Sequence, residues 1–528
     1  MSRLLHHLGR WSATHPWRMI GLWVVAAVLA FTAAGAVGGE FDDDYTMPGT
    51  SSGNAQELLD AHLPELSGAT ATVVLHDEAG VPESLVTELT DEISALDNVG
   101  AVTPAVSPDG ATVAVGVQYD LAITEVTEAG GFAALEETTA SVTDGTDVRV
   151  EYGGWVTEAA QEIEGTAELI GMAVALVILL IAFGSIVAAG LPLATALIGL
   201  GIGSAAIAVL AGATQVSSVA PTLATMVGLG VGIDYALFVL TRHREGLRAG
   251  RSVPDAAADS TATAGQAVLF AGTAVIISLA GLALCGVPNL VTLGAAPGMV
   301  VAVSMVAAVT LVPALMGLAK MRVFGRRERR AIVTGQVLHP AGAGRTAREP
   351  LAVRWATVVG RRPVIWGVAA AVLLVALGAP ALAMRTGQPD ASTAGEDTTV
   401  RQAHDLMVDA FGAGSMSPFL LVADTAQVPS SELESVAAQV AQDEAVASVA
   451  PALISQDRAV AVVSVTPKQG AQDEATGELL DRLRAELPDG VEITGAVAIN
   501  DDFSNRMQER FPWVVTAVVL TSMLLLLV

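Results

Sequence analysis

The apolar residues of this chain are collected into runs long enough to cross a bilayer, and that fact limits what it can fold into. Eight runs stand out: Trp17–Gly38, Leu169–Gly190, Pro192–Ala211, Val216–Leu240, Ala264–Cys285, Val291–Leu318, Pro363–Met384 and Phe511–Val528. A helix rises about 1.5 Å per residue, so roughly 20 apolar residues span the hydrocarbon layer. A charged fraction of only 15% over 528 residues agrees. The expected fold class is a polytopic α-helical membrane protein with polar domains between some spans. The first run is about 22 residues long, longer than the apolar core of a signal peptide, so it reads as a span. Trp17, Trp23, Trp366 and Trp513 lie near run ends, where amphipathic rings favour the interface.

Charge sets the orientation. Of the 27 lysines and arginines, 18 lie before or at the start of the first run, after the fourth, or in the linker Lys320–Arg362. The stretches between runs one and two and between runs seven and eight hold 48 of the 54 acids. The positive-inside rule therefore places the N-terminus and the basic linker in the cytoplasm and the two acidic stretches outside. The net charge of −27 resides in those outer domains, and it excludes nucleic acid as a partner. The basic linker serves orientation first and contact with anionic membrane lipids second. The single cysteine, Cys285, allows no intrachain disulfide, and the histidines show no metal-ligand spacing.

Residues 39–168 and 385–510 look like two copies of one domain. Thr72–His76 followed by Asp77 parallels Phe419–Ala423 followed by Asp424, and VGAVTPAVSPDGATVAVGV at 99–117 parallels VASVAPALISQDRAVAVVSV at 446–465. Helical patterns follow at about Val81–Leu96 and Ser430–Asp443, and the last strands are Val148–Tyr152 and Val491–Thr494. The order β-α-β-β-α-β predicts a ferredoxin-like α+β domain in each copy. RWSATHPW before run one resembles RWATVVGRRP before run seven, so the membrane helices repeat as well. The predicted division is 1–38 as cytoplasmic N-terminus and first span, 39–168 as first outer domain, and 169–318 as spans two to six. Then come the linker 319–362, span seven at 363–384, the second outer domain at 385–510 and span eight at 511–528. Five runs follow the first outer domain and one follows the second, so the sequence reads as truncated in its eighth span.

The stretch GLGVGIDYALF at 228–238 places the one carboxylate found inside any run, Asp234, next to Tyr235. A charged aspartate at mid-helix costs about 2.5–3.5 kcal/mol, so Asp234 is expected to face the bundle interior and to mark a proton or ion path. Desolvation favours its neutral form, which suits a group that takes up and releases a proton as water comes and goes. The bland alternative is a structural bond to a backbone or hydroxyl group. Tyr235 extends a proton wire or is a plain structural hydrogen bonder. Gly228, Gly230 and Gly232 would let a neighbouring helix approach closely, by packing or by sliding. Phe238, one turn after Asp234, is a core residue or a gate.

The segment GLGVGIDYALFVLTRHREGLRAG at 228–250 resembles the fourth-span signature of the MMPL family (mycobacterial membrane protein large) within the resistance-nodulation-division superfamily. PGTSSGNAQELLDAHLPELSG at 48–68 is similar to that family's opening of the first outer domain. The resemblance runs the length of the chain. It implies two extracytoplasmic porter domains on a duplicated bundle in the bacterial inner membrane. It also implies proton-driven export of lipids or other hydrophobic compounds, with Asp234 and Tyr235 as one proton relay pair and a second pair one repeat length further on. Protons are then the coupling ion and no cofactor is called for. A lipid-binding sensor or scaffold of the same fold, without pumping, is the alternative. Without a P-loop, a G-x-S-x-G elbow or a metal-spaced cluster, neither an ATP-driven pump nor an enzyme is expected. A homo-oligomer is open on sequence grounds.

Overall fold

The computed structural model describes residues 2–39, 41, 47, 49–63, 69–121, 123–161, 166–334, 351–380 and 390–527. The chain begins with α1 (Ser2–Thr14) and α2 (Pro16–Val37), and the first αβ domain follows. It comprises α3 (Ser51–His62), β1 (Thr70–His76), α4 (Glu83–Ser94), β2 (Val99–Val106), β3 (Thr112–Tyr119), α5 (Ile123–Glu128), α6 (Gly131–Thr143), β4 (Arg149–Gly153) and α7 (Trp155–Gln161). A helical stretch comes next: α8 (Thr166–Phe183), α9 (Ile186–Ala211), α10 (Val219–Arg248), α11 (Val253–Ala280), α12 (Pro288–Ala319) and the basic α13 (Arg326–Thr334). Then come α14 (Leu351–Arg361) and α15 (Pro363–Gly378). The second αβ domain holds α16 (Thr399–Phe411), β5 (Phe419–Asp424), α17 (Ser430–Val440), β6 (Val446–Val449), β7 (Leu453–Ile454), β8 (Val460–Pro467), α18 (Glu474–Glu486) and β9 (Val491–Thr494). The long α19 (Ala496–Leu527) carries the eighth apolar run in its second half.

Among the described residues five helices are long and apolar enough to cross a membrane, or six if α14 and α15, bent by 98° at Arg362, count as one span. Prolines at the first helical position start α2, α12 and α15, where the missing N–H would have had no partner. The expected boundary between runs two and three is corrected. Gly184 takes a left-handed φ of 62° and ends α8, and the Ser185 hydroxyl accepts from the Ala188 N–H to start α9. Pro192, expected at the head of the third run, sits inside α9. The second run thereby loses its last residues, and its apolar helix, Leu169–Phe183, falls short of the others. Residues 335–350 of the predicted linker and the end of the seventh run, 381–384, lie outside the described residues.

Helices α9, α10, α11 and α12 form the bundle, and α12 lies against the other three. Small residues set the spacing. Side chains built on Gly199 and Gly203 of α9 would meet Ser304 and Val300 of α12, and those built on Gly228 and Gly232 of α10 would meet the same Val300 and Ser304. Two glycine pairs one turn apart therefore grip one turn of α12 from two sides, as small residues do where membrane helices touch. Beneath the bundle α1 lies across α11 and α12. Gly9 packs on Thr261, and Arg10 reaches Asp255 at 3.4 Å.

The two αβ domains share one strand order, β2-β3-β1-β4 in the first and β6-β8-β5-β9 in the second, with all pairs antiparallel. Registers match position by position. Val73 lies between Val115 and Tyr152, and Leu421 lies between Val463 and Ile493. Alternation sends Ala71, Val73 and Leu75 into one apolar core and Phe419, Leu421 and Ala423 into the other. The opposite sheet faces are covered by exchange. Helix α3 of the first domain crosses β5, β8 and β9 of the second, and α16 of the second crosses β1, β3 and β4 of the first. The leading hydroxyls match too. Ser51 accepts from the Ile493 N–H at 3.0 Å, and Thr399 accepts from the Tyr152 N–H at 2.7 Å.

Candidate functional site

The site predicted from sequence lies midway along α10, whose 30 residues present three kinds of face. The first is small and buried. Ala224, Gly228, Gly232 and Ala236 follow one another at single-turn spacing against α9 and α12. Gly232 touches both neighbours at once, since a side chain there would come within 3.1 Å of Ala196 Cβ on α9 and 3.4 Å of the Ser304 hydroxyl on α12. Ser304 itself is buried, and its hydroxyl has no hydrogen-bond partner among the described residues.

The second face is open. Met226, Gly230, Asp234 and Phe238 recur at helical spacing, and all are exposed on the surface of this bundle, Met226 by 64% and Phe238 by 45%. Three expectations are corrected here. Asp234 does not point among the helices of its own bundle, because the small face of α10 already occupies the contacts with α9 and α12. Gly230 does not admit a neighbouring backbone, since nothing lies within 4 Å of the place its side chain would take. Phe238 belongs to the open stripe and not to the core.

The third face is the seam with α11. Tyr235 is partly buried there, packed against the cluster that holds Val268 of α11 and, among its partly buried members, Met305 of α12. Successive helix residues point about 100° apart, so Asp234 and Tyr235 occupy neighbouring faces and not one pocket. The carboxylate is presented outward, and the phenol reaches inward from beside it.

At its C-terminal end α10 is clamped. Arg244, only 5% exposed, donates to Glu328 Oε2 of α13 at 3.1 Å and to the Phe183 carbonyl of α8 at 3.3 Å. Its guanidinium carbon lies 4.9 Å from the Phe183 ring centre and 5.1 Å from that of Phe324. Arg248 donates twice to Glu328 Oε1, at 2.8 and 2.6 Å. One carboxylate thus ties two turns of α10 to α13. Reading the linker as plain basic charge hides this role. The available signal was Glu328 itself, a lone acid set among four arginines in RRERR.

Among the described residues no group of three metal-binding side chains occurs. The profile of the MMPL family matches residues 44–366. This chain belongs to the MMPL family. The match contains α10 and its clamp entire, and MMPL members are transporters and not enzymes. As an MMPL protein with several long apolar helices, the chain is a multi-pass helical membrane protein. It is 30% identical to the membrane protein YdfJ of Bacillus subtilis over 97% of the chain and 71% of that protein. It is 31% identical to the mycolic acid-containing lipids exporter MmpL11 of Mycolicibacterium smegmatis over 71% of the chain and 40% of the exporter. It is 30% identical to the heme uptake protein MmpL11 of Mycobacterium tuberculosis over 69% of the chain and 38% of that protein.

Proposed function

We propose that this MMPL chain works in proton-driven export of lipids or other hydrophobic and amphipathic compounds across the bacterial cytoplasmic membrane, with Asp234 as the proton-exchanging group and Tyr235 as its relay partner. The observation that carries this reading is the lone carboxylate midway along α10, exposed on the open stripe with the phenol in the adjoining seam. At that depth an aspartate needs a proton, water or a polar partner. A face that alternates between wet and dry supplies the first two in turn. Taking protons from outside draws on about 2.3 kcal/mol per charge per 100 mV. Neutralising Asp234 changes what the open stripe can pack against, and α10 then shifts on the smooth Gly228–Gly232 face.

In this reading the two αβ domains are ferredoxin-like porter domains on the extracytoplasmic side. Their shared strand order and the basic residues gathered on α13 support that placement. A hydrophobic cargo is supported by two relatives, one named for mycolic acid-containing lipids and one for heme, both amphipathic molecules.

The test is Asp234→Asn in the intact transporter, reconstituted in proteoliposomes with a pH-sensitive dye inside and labelled lipid as cargo. The expected result is loss of proton-coupled cargo movement with insertion unchanged. Normal coupled movement in the variant would refute the proton role. Lipid binding without any proton flux in the parent protein would favour the sensor or scaffold reading.

A further inference from the structure

We infer that Gly272 of α11 is a positioning residue for Tyr235: its missing side chain leaves room for both the Tyr235 hydroxyl and the Met305 thioether. Gly272 is buried in the interior of α11 and has none of the positive φ values that require glycine. A glycine inside a helix is less favourable than alanine by about 1 kcal/mol, so backbone preference does not explain it. Space does. A methyl group built on Gly272 would overlap the Met305 sulfur, come within 2.6 Å of Met305 Cγ, and stand 3.2 Å from the Tyr235 hydroxyl.

Three helices meet at this point: α10 brings the tyrosine, α12 the methionine and α11 the gap. The other glycines near the relay differ. Gly228 and Gly232 bring α10 against α9 and α12, and Gly230 faces open space. Gly272 alone among them faces the hydroxyl. Methionine is unbranched and adapts readily, so an added methyl displaces Met305 first. The phenol ring has two side-chain torsions and its tip is close to the new group, so it must shift by a few tenths of an ångström or turn out of the seam. Gly272 thereby determines where the hydroxyl sits relative to Asp234 on the neighbouring face.

The effect on transport rests on the proton-relay reading above, but the positional claim can be tested without it. The chain has four tyrosines, Tyr45, Tyr119, Tyr152 and Tyr235, so 3-fluorotyrosine labelling gives four fluorine resonances. Tyr235→Phe identifies the relevant one. In Gly272→Ala that resonance is expected to move while the other three stay. In Gly272→Ala/Met305→Ala it should return toward its original position, because the shorter side chain gives back the space. A Tyr235 resonance unmoved by Gly272→Ala overturns the proposal. Should the glycine variant fail to fold, shown by movement of all four signals, Met305→Ala alone opens the same gap from the α12 side. The Tyr235 signal must then shift or broaden, and an unmoved signal there also overturns the proposal.

In the reconstituted transporter, proton-coupled flux is expected to fall about tenfold in Gly272→Ala, on the scale that small misplacements of reacting groups produce, and to recover in the double variant. A moved resonance with unchanged flux removes the positioning role. Normal flux in Asp234→Asn refutes the relay while leaving the fluorine result standing.

Discussion

The two αβ domains are the same object built twice, and each hands its leading helix to the other. The hairpin turns show how close the likeness is. In the first domain the Ser107 hydroxyl donates to Asp109 at 2.6 Å, and Asp109 accepts from the Ala111 N–H at 3.0 Å. In the second, Ser455 donates to Asp457 at 2.7 Å, and Asp457 accepts from the Ala459 N–H at 3.0 Å. What differs is the seat of the exchanged helix. Helix α3 and the Leu63 that follows it seat Ala55, Leu59 and Leu63 on Val422, Val460 and Val462, and a cluster of buried apolar residues results. Helix α16 brings Val400 and Ala403 as its buried residues and adds a polar contact, Arg149 to Gln402 at 2.7 Å. Both helices carry polar contacts, α3 through Ser52 to Asp502 and His62 to Asp457, so the seats differ in the larger apolar cluster under α3 and not in polarity. The first domain's hold on the second is therefore expected to be the stronger.

Breaking the oily seat should have the largest effect. Leu59 is 1% exposed, and Leu59→Ala removes a large side chain from a packed site, a change that typically costs 2–5 kcal/mol. Amide exchange across β5, β8 and β9 is expected to speed up in this variant far more than exchange across β1, β3 and β4. Equal loosening of both sheets would show that the two seats are energetically alike.

The leading hydroxyls sharpen the comparison from the other direction, because here the two domains are equivalent. Ser51→Ala and Thr399→Ala each strand one strand N–H, that of Ile493 or Tyr152, at a cost of about 1–3 kcal/mol if the group stays dry. Both variants should lower the melting temperature by similar amounts, each with faster exchange at the single amide it uncovers. A large difference between the two would place the asymmetry in the hydrogen bonds and not in the apolar seat.

Much of this was legible beforehand because the repeat is written in short-range patterns. Strand alternation at Thr72–His76 and Phe419–Ala423 and the VTPA and VAPA motifs are local, and a period can be read without knowing what touches what. Even so, the two prolines differ in outcome. Pro104 lies within β2, whereas the strand that would carry Pro451 is interrupted and its pieces pair separately as β6 and β7. The exchange of α3 and α16 could not be read, since it joins Ser51 to Ile493 and Thr399 to Tyr152 across hundreds of residues. The site was legible in the same uneven way. Asp234 declares itself by chemistry, a carboxylate in an apolar run. The direction it faces depends on which side of α10 the small residues Gly228 and Gly232 commit to packing, and three alternate glycines look alike in sequence. The clamp through Glu328 and the gap at Gly272 each need a third helix to have meaning, so no window along the chain contains them.

The smallest expected effect concerns the two hairpin aspartates, where only one turn meets the exchanged helix. His62, the last residue of α3, lies 2.6 Å from Asp457. The Ser455 hydroxyl, the Ala459 N–H and His62 together hold the Asp457 carboxyl at about 2. Asp109 is lowered too, chiefly by Ser107 and then by the Ala111 N–H. A carboxyl whose folded value lies below its unfolded one stabilises the fold above the ordinary carboxylate range. That contribution fades as pH falls toward the folded value. His62→Gln removes one of the three causes at Asp457 and none at Asp109. Its Asp457 midpoint should rise toward that of an ordinary aspartate while Asp109 titrates as before, and the contribution of Asp457 should then be lost at a higher pH. Carboxyl carbon shifts followed through an acid titration read both groups in one experiment. Because both side chains are solvent-accessible, salt should shrink the His62 effect and leave the serine and backbone contributions in place. If the two aspartates move together in the variant, the histidine is not acting on Asp457 through the contact seen between the domains.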